Sequence, residues 1–179
     1  MDDCKVRIVE SYREYRPPFD AAKLVQELLS TVPEKYQRGL DCVLLINQGN
    51  LSRRQLKGKV WGRRRKVEKS EVLGLYHHGT RNAQPFIELR VDQIVTGMGK
   101  KFVWFPFFRK IIFGHVFFHE LGHHIHQTIR PEYSNKEDTA DKWSRKLNRN
   151  FIRTAYWYAL PLIVPIAKIY TLMKRKHWI

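Results

Sequence analysis

Histidine and glutamate recur at one spacing that can hold and use a metal ion: His119-Glu120-Leu121-Gly122-His123. On a helix, residues four apart share a face, so both imidazoles can reach one ion while Glu120 sits about 100° round, beside it. Imidazole nitrogen suits Zn²⁺, and a catalytic zinc usually takes three protein ligands and leaves its fourth position for water. Glu120 then has the position and chemistry to take a proton from that water. The motif lies in an apolar run, with Ile111-Ile112-Phe113 and Val116-Phe117-Phe118 just before it. A charged glutamate there is costly unless it is paired or near a metal, which argues against an ordinary helix face.

The third ligand needs its own argument. His115 and His126 share the face, but either would spread the ligands over about 10–12 Å of helix rise, too far for bonds near 2 Å. His124 points about 100° away. Glu137, in Glu137-Asp138-Thr139-Ala140-Asp141, is the better candidate, because the break at Arg130-Pro131-Glu132 lets a second helix fold back on the first. Asp141 lies one turn on, where it can accept the other ring N–H of a ligating histidine. The competing account is a solvated acidic first turn in which Ser134 and Glu137 form a capping box. It explains neither Asp141 nor the pairing with the histidine motif. A tetrahedral oxyanion would also need a donor, and Tyr133, Tyr156, Tyr158, His77 and His78 all remain candidates.

The elements that must position these residues can be read in outline. Residues 5–18 mix charge with aromatics and end in Pro17-Pro18, an irregular leader. Asp20 can cap a short amphipathic helix from Ala21 to about Ser30, with Leu24, Val25, Leu28 and Leu29 on one face. Cys42 to Ile46 reads as a strand, and Val72–His77 with Pro85–Val91 as paired strands. In the second of that pair, Phe86, Glu88, Arg90 and Asp92 alternate with Ile87, Leu89 and Val91. The apolar stretch from Pro106 to about Thr128 is too long for a strand and reads as a buried helix, followed by another from about Ser134 to Ile152. The expected fold is α+β in one domain, residues 1–179: an N-terminal helix, a small mixed sheet, the two site-bearing helices and a C-terminal helical segment.

HExxH followed by a second helix bearing ExxxD resembles the gluzincin metallopeptidases. The small size and the Glu137-xx-Ala140-Asp141-x-Trp143-Ser144 pattern are similar to the minimal-gluzincin and ImmA/IrrE-like group, over roughly residues 72–150. The resemblance implies a zincin-like fold and a Zn²⁺-dependent peptidase, with His119, His123 and Glu137 as ligands and Glu120 as general base and acid. It also implies that the strand Pro85–Val91 is the edge along which a protein or peptide substrate lies. The chain departs from the group in showing no helix-turn-helix partner domain and in its apolar, basic tail.

Composition bounds the rest. The 33 lysines and arginines against 17 acidic residues leave a net charge of +16, which favours polyanionic neighbours. Residues 53–69 carry nine basic side chains and one acidic one, with Arg63-Arg64-Arg65-Lys66 beside Trp61. They read as a polyanion-binding hairpin, for nucleic acid or an anionic membrane surface, or as a charge-protected sheet edge. Tyr156 to Ala167 is an uncharged run, too short for the roughly 20 residues of a bilayer span. Residues 155–179 therefore read as a packed helix or an interfacial anchor with basic flanks. Two cysteines, Cys4 and Cys42, exclude a disulfide framework. With no signal peptide evident at the start, the expected address is the cytoplasm, with a peripheral membrane position open through the tail. A reading of another class is a nucleic-acid or membrane-surface binding protein whose zinc site is structural or vestigial.

Overall fold

The computed structural model describes residues 5–61, 66–81, 83–129 and 136–158. In chain order the elements are β1 (Arg7–Ser11), α1 (Ala21–Ser30), β2 (Cys42–Ile46), α2 (Arg53–Leu56), β3 (Lys59–Trp61), β4 (Lys66–Glu68), β5 (Gly74–His77) and β6 (Phe86–Arg90), followed by α3 (Val91–Met98), α4 (Lys100–Trp104), α5 (Pro106–Ile129) and α6 (Lys136–Ala155). The class is α+β, with a small mixed sheet. No helix among the described residues is long and apolar enough to cross a membrane.

Local chemistry sets the first helix. Asp20 Oδ1 accepts the Lys23 N–H at 2.8 Å, an N-cap bond, and Leu24, Val25, Leu28 and Leu29 form the buried stripe. In α5 the fully buried residues Phe113, Phe117 and Leu121 recur every four positions, joined by Phe118 and Ile125. That stripe fixes the rotation of the helix and thereby aims the opposite residues. Leu147 and Phe151 anchor α6 to the same core, which runs from Val6 to Phe151.

The leader is not irregular throughout. Arg7–Ser11 is a strand, parallel to β2 with Arg7 opposite Cys42, and Arg7 pairs with Asp41 at 2.7 Å. The main sheet has the order β1-β2-β6-β5, in which β1, β2 and β6 are parallel and β5 is antiparallel to β6. The segment Pro85–Val91 is therefore not an edge: β6 is interior, and the edge on that side is β5. Nor does the strand reach Val91 and Asp92, which open α3. Glu88 and Arg90 are buried, and Arg90 Nε donates to Glu88 Oε1 at 3.2 Å. In the basic segment, β3 and β4 form an antiparallel hairpin, with Lys59 paired to Glu68 at 3.4 Å. Arg63-Arg64-Arg65, the Arg130–Ser134 break with Tyr133, and the tail from residue 159 lie outside the described residues.

The break does permit the expected return: α6 packs back along α5. At Gly122 they approach so closely that an added Cβ would meet the Ala140 backbone oxygen at 2.7 Å and its Cα at 2.8 Å. Gly122→Ala therefore forces the helices apart, and overpacking of this kind costs about 1–3 kcal/mol. The expected outcome is a melting temperature lowered by about 3–10 °C. Gly97→Ala on α3, where nothing lies within 4 Å of the added methyl, should leave it unchanged or slightly raised. Equal melting for wild type and Gly122→Ala would mean that the two helices do not approach this closely.

Candidate metal centre

The helix contact at Gly122 brings the chemistry together. Ala140 has no exposed surface; Glu137 lies one turn before it, and Asp141 is the next residue. From there Glu137 Oε2 reaches His119 Nε2 at 3.4 Å, and Glu137 Oε1 reaches His123 Nε2 at 3.7 Å. Asp141 Oδ1 is 3.0 Å from His119 Nδ1. An Nδ1–H donated to Asp141 would fix the tautomer that leaves the Nε2 lone pair available to an ion between His119, His123 and Glu137. The two rings stand edge to face, with centroids 4.9 Å apart.

Among the described residues one group, His119, His123 and Glu137, offers ligand atoms that all lie within 4.8 Å of one another. Tetrahedral bonds of 2.0–2.2 Å would separate neighbouring ligand atoms by about 3.4 Å. The observed 3.4 and 3.7 Å match that spacing, and two imidazoles with one carboxylate are a donor set zinc accepts. The residues fit the ion.

Their electrostatics follow from burial and mutual proximity. For His119, burial works to lower the pKa, but the bond to Glu137 and the charges of Glu120, Glu137 and Asp141 outweigh it and the pKa rises. His123 is pushed down to about 4 by burial and by its neighbour His119. Glu137 is lowered, chiefly by its hydrogen bond to His119. Glu120 is almost fully enclosed, 7% exposed, and burial raises its carboxyl to about 7. The Tyr76 backbone beside it limits the rise. Gly74 makes room: a Cβ there would lie 2.9 Å from Glu120 Cγ.

The three candidate ligands and Glu120 line a cleft of about 340 Å³, bordered by Gly74, Leu75 and Tyr76 of the edge strand β5 and by Val67 of β4. Of the oxyanion candidates within the described residues, His78 lines this cleft. His77 turns instead to Glu88 Oε2, 3.1 Å from its Nε2, and stacks on Phe86. Tyr156 and Tyr158 lie in a ring cluster with Phe107, Phe151 and Trp157. His115 Nδ1 is 3.2 Å from Ser144 Oγ, and His124 bridges the Arg38 carbonyl at 3.0 Å and the Tyr76 hydroxyl at 3.3 Å. Sequence reasoning missed Tyr76, Gly74, Lys136 and Gln127 as wall residues. Lys136, next to Glu137 at the start of α6, was the one whose position gave a signal. No family model, curated protein or solved structure matches the chain.

Titration of metal-stripped protein with zinc should show about one ion per chain. His119→Ala, His123→Ala and Glu137→Ala should each abolish tight binding, whereas Asp141→Asn should weaken it about 10–100-fold. Full affinity in Glu137→Ala would remove Glu137 from the ligand set, and an unchanged Asp141→Asn would leave that aspartate with a packing role alone.

Proposed function

We propose that the chain is a zinc-dependent peptidase of gluzincin type with a zincin-like fold, hydrolysing peptide bonds in a protein or peptide substrate. The observation that carries the reading is the convergence of His119, His123 and Glu137 beside a buried Glu120, in a cleft bordered by an open strand edge. His119, His123 and Glu137 would hold the ion. Zinc there supplies Lewis acidity, which polarises a carbonyl and makes water acidic near neutral pH.

The remaining steps belong to the chain. An extended peptide pairs with the outer edge of β5, so its scissile bond lies over the histidines; main-chain hydrogen bonds give affinity of this kind without demanding a sequence. Glu120 takes a proton from the attacking water onto a carboxylate oxygen. It then returns that proton to the leaving amine nitrogen as the C–N bond breaks. Burial works to raise this carboxyl, which suits it to both transfers, since a group of matched pKa exchanges protons in either direction with little penalty. Asp141 keeps the His119 ring oriented throughout. A zinc site serving structure alone has no use for an enclosed glutamate that is not a ligand, and this favours the peptidase over a binding protein with a vestigial site.

Glu120→Gln tests the reading. Glutamine has nearly the same volume, so zinc content and melting temperature should match wild type. Cleavage of a peptide library should fall by about 10²–10⁴-fold. If wild type with one zinc per chain cleaves nothing, or if the variant cleaves as fast, the peptidase reading fails.

A further inference from the structure

We propose that the end of the molecule where α5 begins and α6 finishes is a docking face for an anionic membrane surface. This inference stands apart from the peptidase reading. The turn between α4 and α5 exposes Trp104 (76%) and Phe105, with Phe102 and Phe108 beside them, and the end of α6 exposes Trp157 (70%) and Tyr158. The two sets form one patch. Ring contacts run without a gap from Phe102 to Phe108 (5.2 Å), Phe107 (5.4 Å), Tyr156 (5.0 Å) and Tyr158 (6.5 Å), and thence to Trp157 (6.3 Å). Scattered exposed apolar side chains are ordinary, but a contiguous aromatic patch marks a contact surface.

Charge identifies what it contacts. On the face of α6 opposite the buried Leu147 and Phe151, Lys142, Arg145, Lys146, Arg149 and Arg153 are all exposed and line one shallow groove. No carboxylate of the described residues pairs with any of them, and from Lys142 to the last residue the sequence contains no aspartate or glutamate. The stripe ends at Arg153, less than one turn before Tyr156. Aromatic side chains at headgroup depth beside a row of cations that have no carboxylate partner among the described residues are the two signals that hold a protein on an anionic bilayer. A nucleic acid would use the cations but would want ring faces open for stacking. These rings mostly meet edge to face, at 71–87° for Phe102–Phe108, Phe107–Phe108, Phe107–Tyr156 and Trp157–Tyr158.

The experiment is cosedimentation of the full chain with phosphatidylcholine vesicles, with and without about one-third phosphatidylserine. Wild type should bind the phosphatidylserine vesicles, less well as salt rises, and phosphatidylcholine alone at least tenfold more weakly. Trp104→Ser with Phe105→Ser, both exposed and so without cost to folding, should lose at least tenfold in affinity at an unchanged melting temperature. Arg149→Gln with Arg153→Gln should lose about fivefold per charge. The proposal is overturned if wild type ignores both vesicles, or if both double variants bind as wild type does, which would leave the tail as the sole anchor. It is equally overturned if a duplex oligonucleotide strips the protein from vesicles at equal charge, or if the aromatic variant only turns a dimer into a monomer.

Discussion

At Gly122 the backbone of Ala140 occupies the space a side chain would fill, and the grouping of His119, His123, Glu137 and Asp141 depends on that approach. Helices usually sit 8–10 Å apart because side chains hold them there. Here a glycine on one helix and an alanine on the other remove the spacer, so that Glu137 and Asp141 can reach the two nitrogens of His119. The stripe of Phe113, Phe117 and Leu121 sets the rotation of α5, and the glycine sets the distance to α6. Both are required, since a ligand set with bonds near 2 Å leaves little tolerance for either error.

Charge is also buried in the sheet, and the structure offsets the cost by pairing. Burial alone would raise the Glu88 pKa, but bonds from His77 and Arg90 overcome it and hold the carboxyl below its usual range. Arg90 also donates to the Lys69 carbonyl, tying the sheet to the segment that leads into β5. Removing one member of such a set would leave its partner buried and uncompensated, which is far worse than never having had the set. Glu120 is handled differently. It lies among ionisable neighbours, and burial moves its pKa to about 7. Partners hold Glu88 in its charged form, whereas burial makes Glu120 easier to protonate than a free carboxylate.

How much of this the sequence disclosed depends on how local each cause is. The Asp20 cap, the four-residue stripe in α5 and the candidate ligand set are written in short-range spacings, and the positions of α1, β2, α5 and α6 follow them closely. Strand order is not local. The alternation in Phe86–Arg90 is the same for an interior strand as for an edge, and only the arrival of β2 and β5 on either side makes it interior. The strand β1 was hidden because an outer strand protects its edge with polar side chains, here Arg7, Glu10 and Ser11, so that its pattern reads as leader. The passage from β6 into α3 lacks a capping side chain at Arg90, and the alternation therefore ran past its true end. Exposed Phe108 was absorbed into the apolar run that opens at Pro106, because hydropathy does not distinguish a ring turned inward from one turned out, and Phe102, Trp104 and Phe105, which precede that run, were assigned to no element.

The identity of the edge strand alters the proposed chemistry, not only the topology. The Arg90 N–H donates to the Leu73 carbonyl, so in an antiparallel ladder Leu73, Leu75 and His77 face β6, while Gly74 and Tyr76 direct their backbone groups outward. The Tyr76 backbone, one of these outward groups, works to lower the Glu120 pKa against the effect of burial. Gly74, also facing outward, is where the strand comes so near Glu120 that a side chain would not fit. Under the peptidase reading, the strand that aligns the substrate therefore also fixes the group that moves the proton. An interior strand has no outward backbone group to give and could not do this. The register between peptide and carboxylate is set by one element, β5, rather than by two that must be held in step.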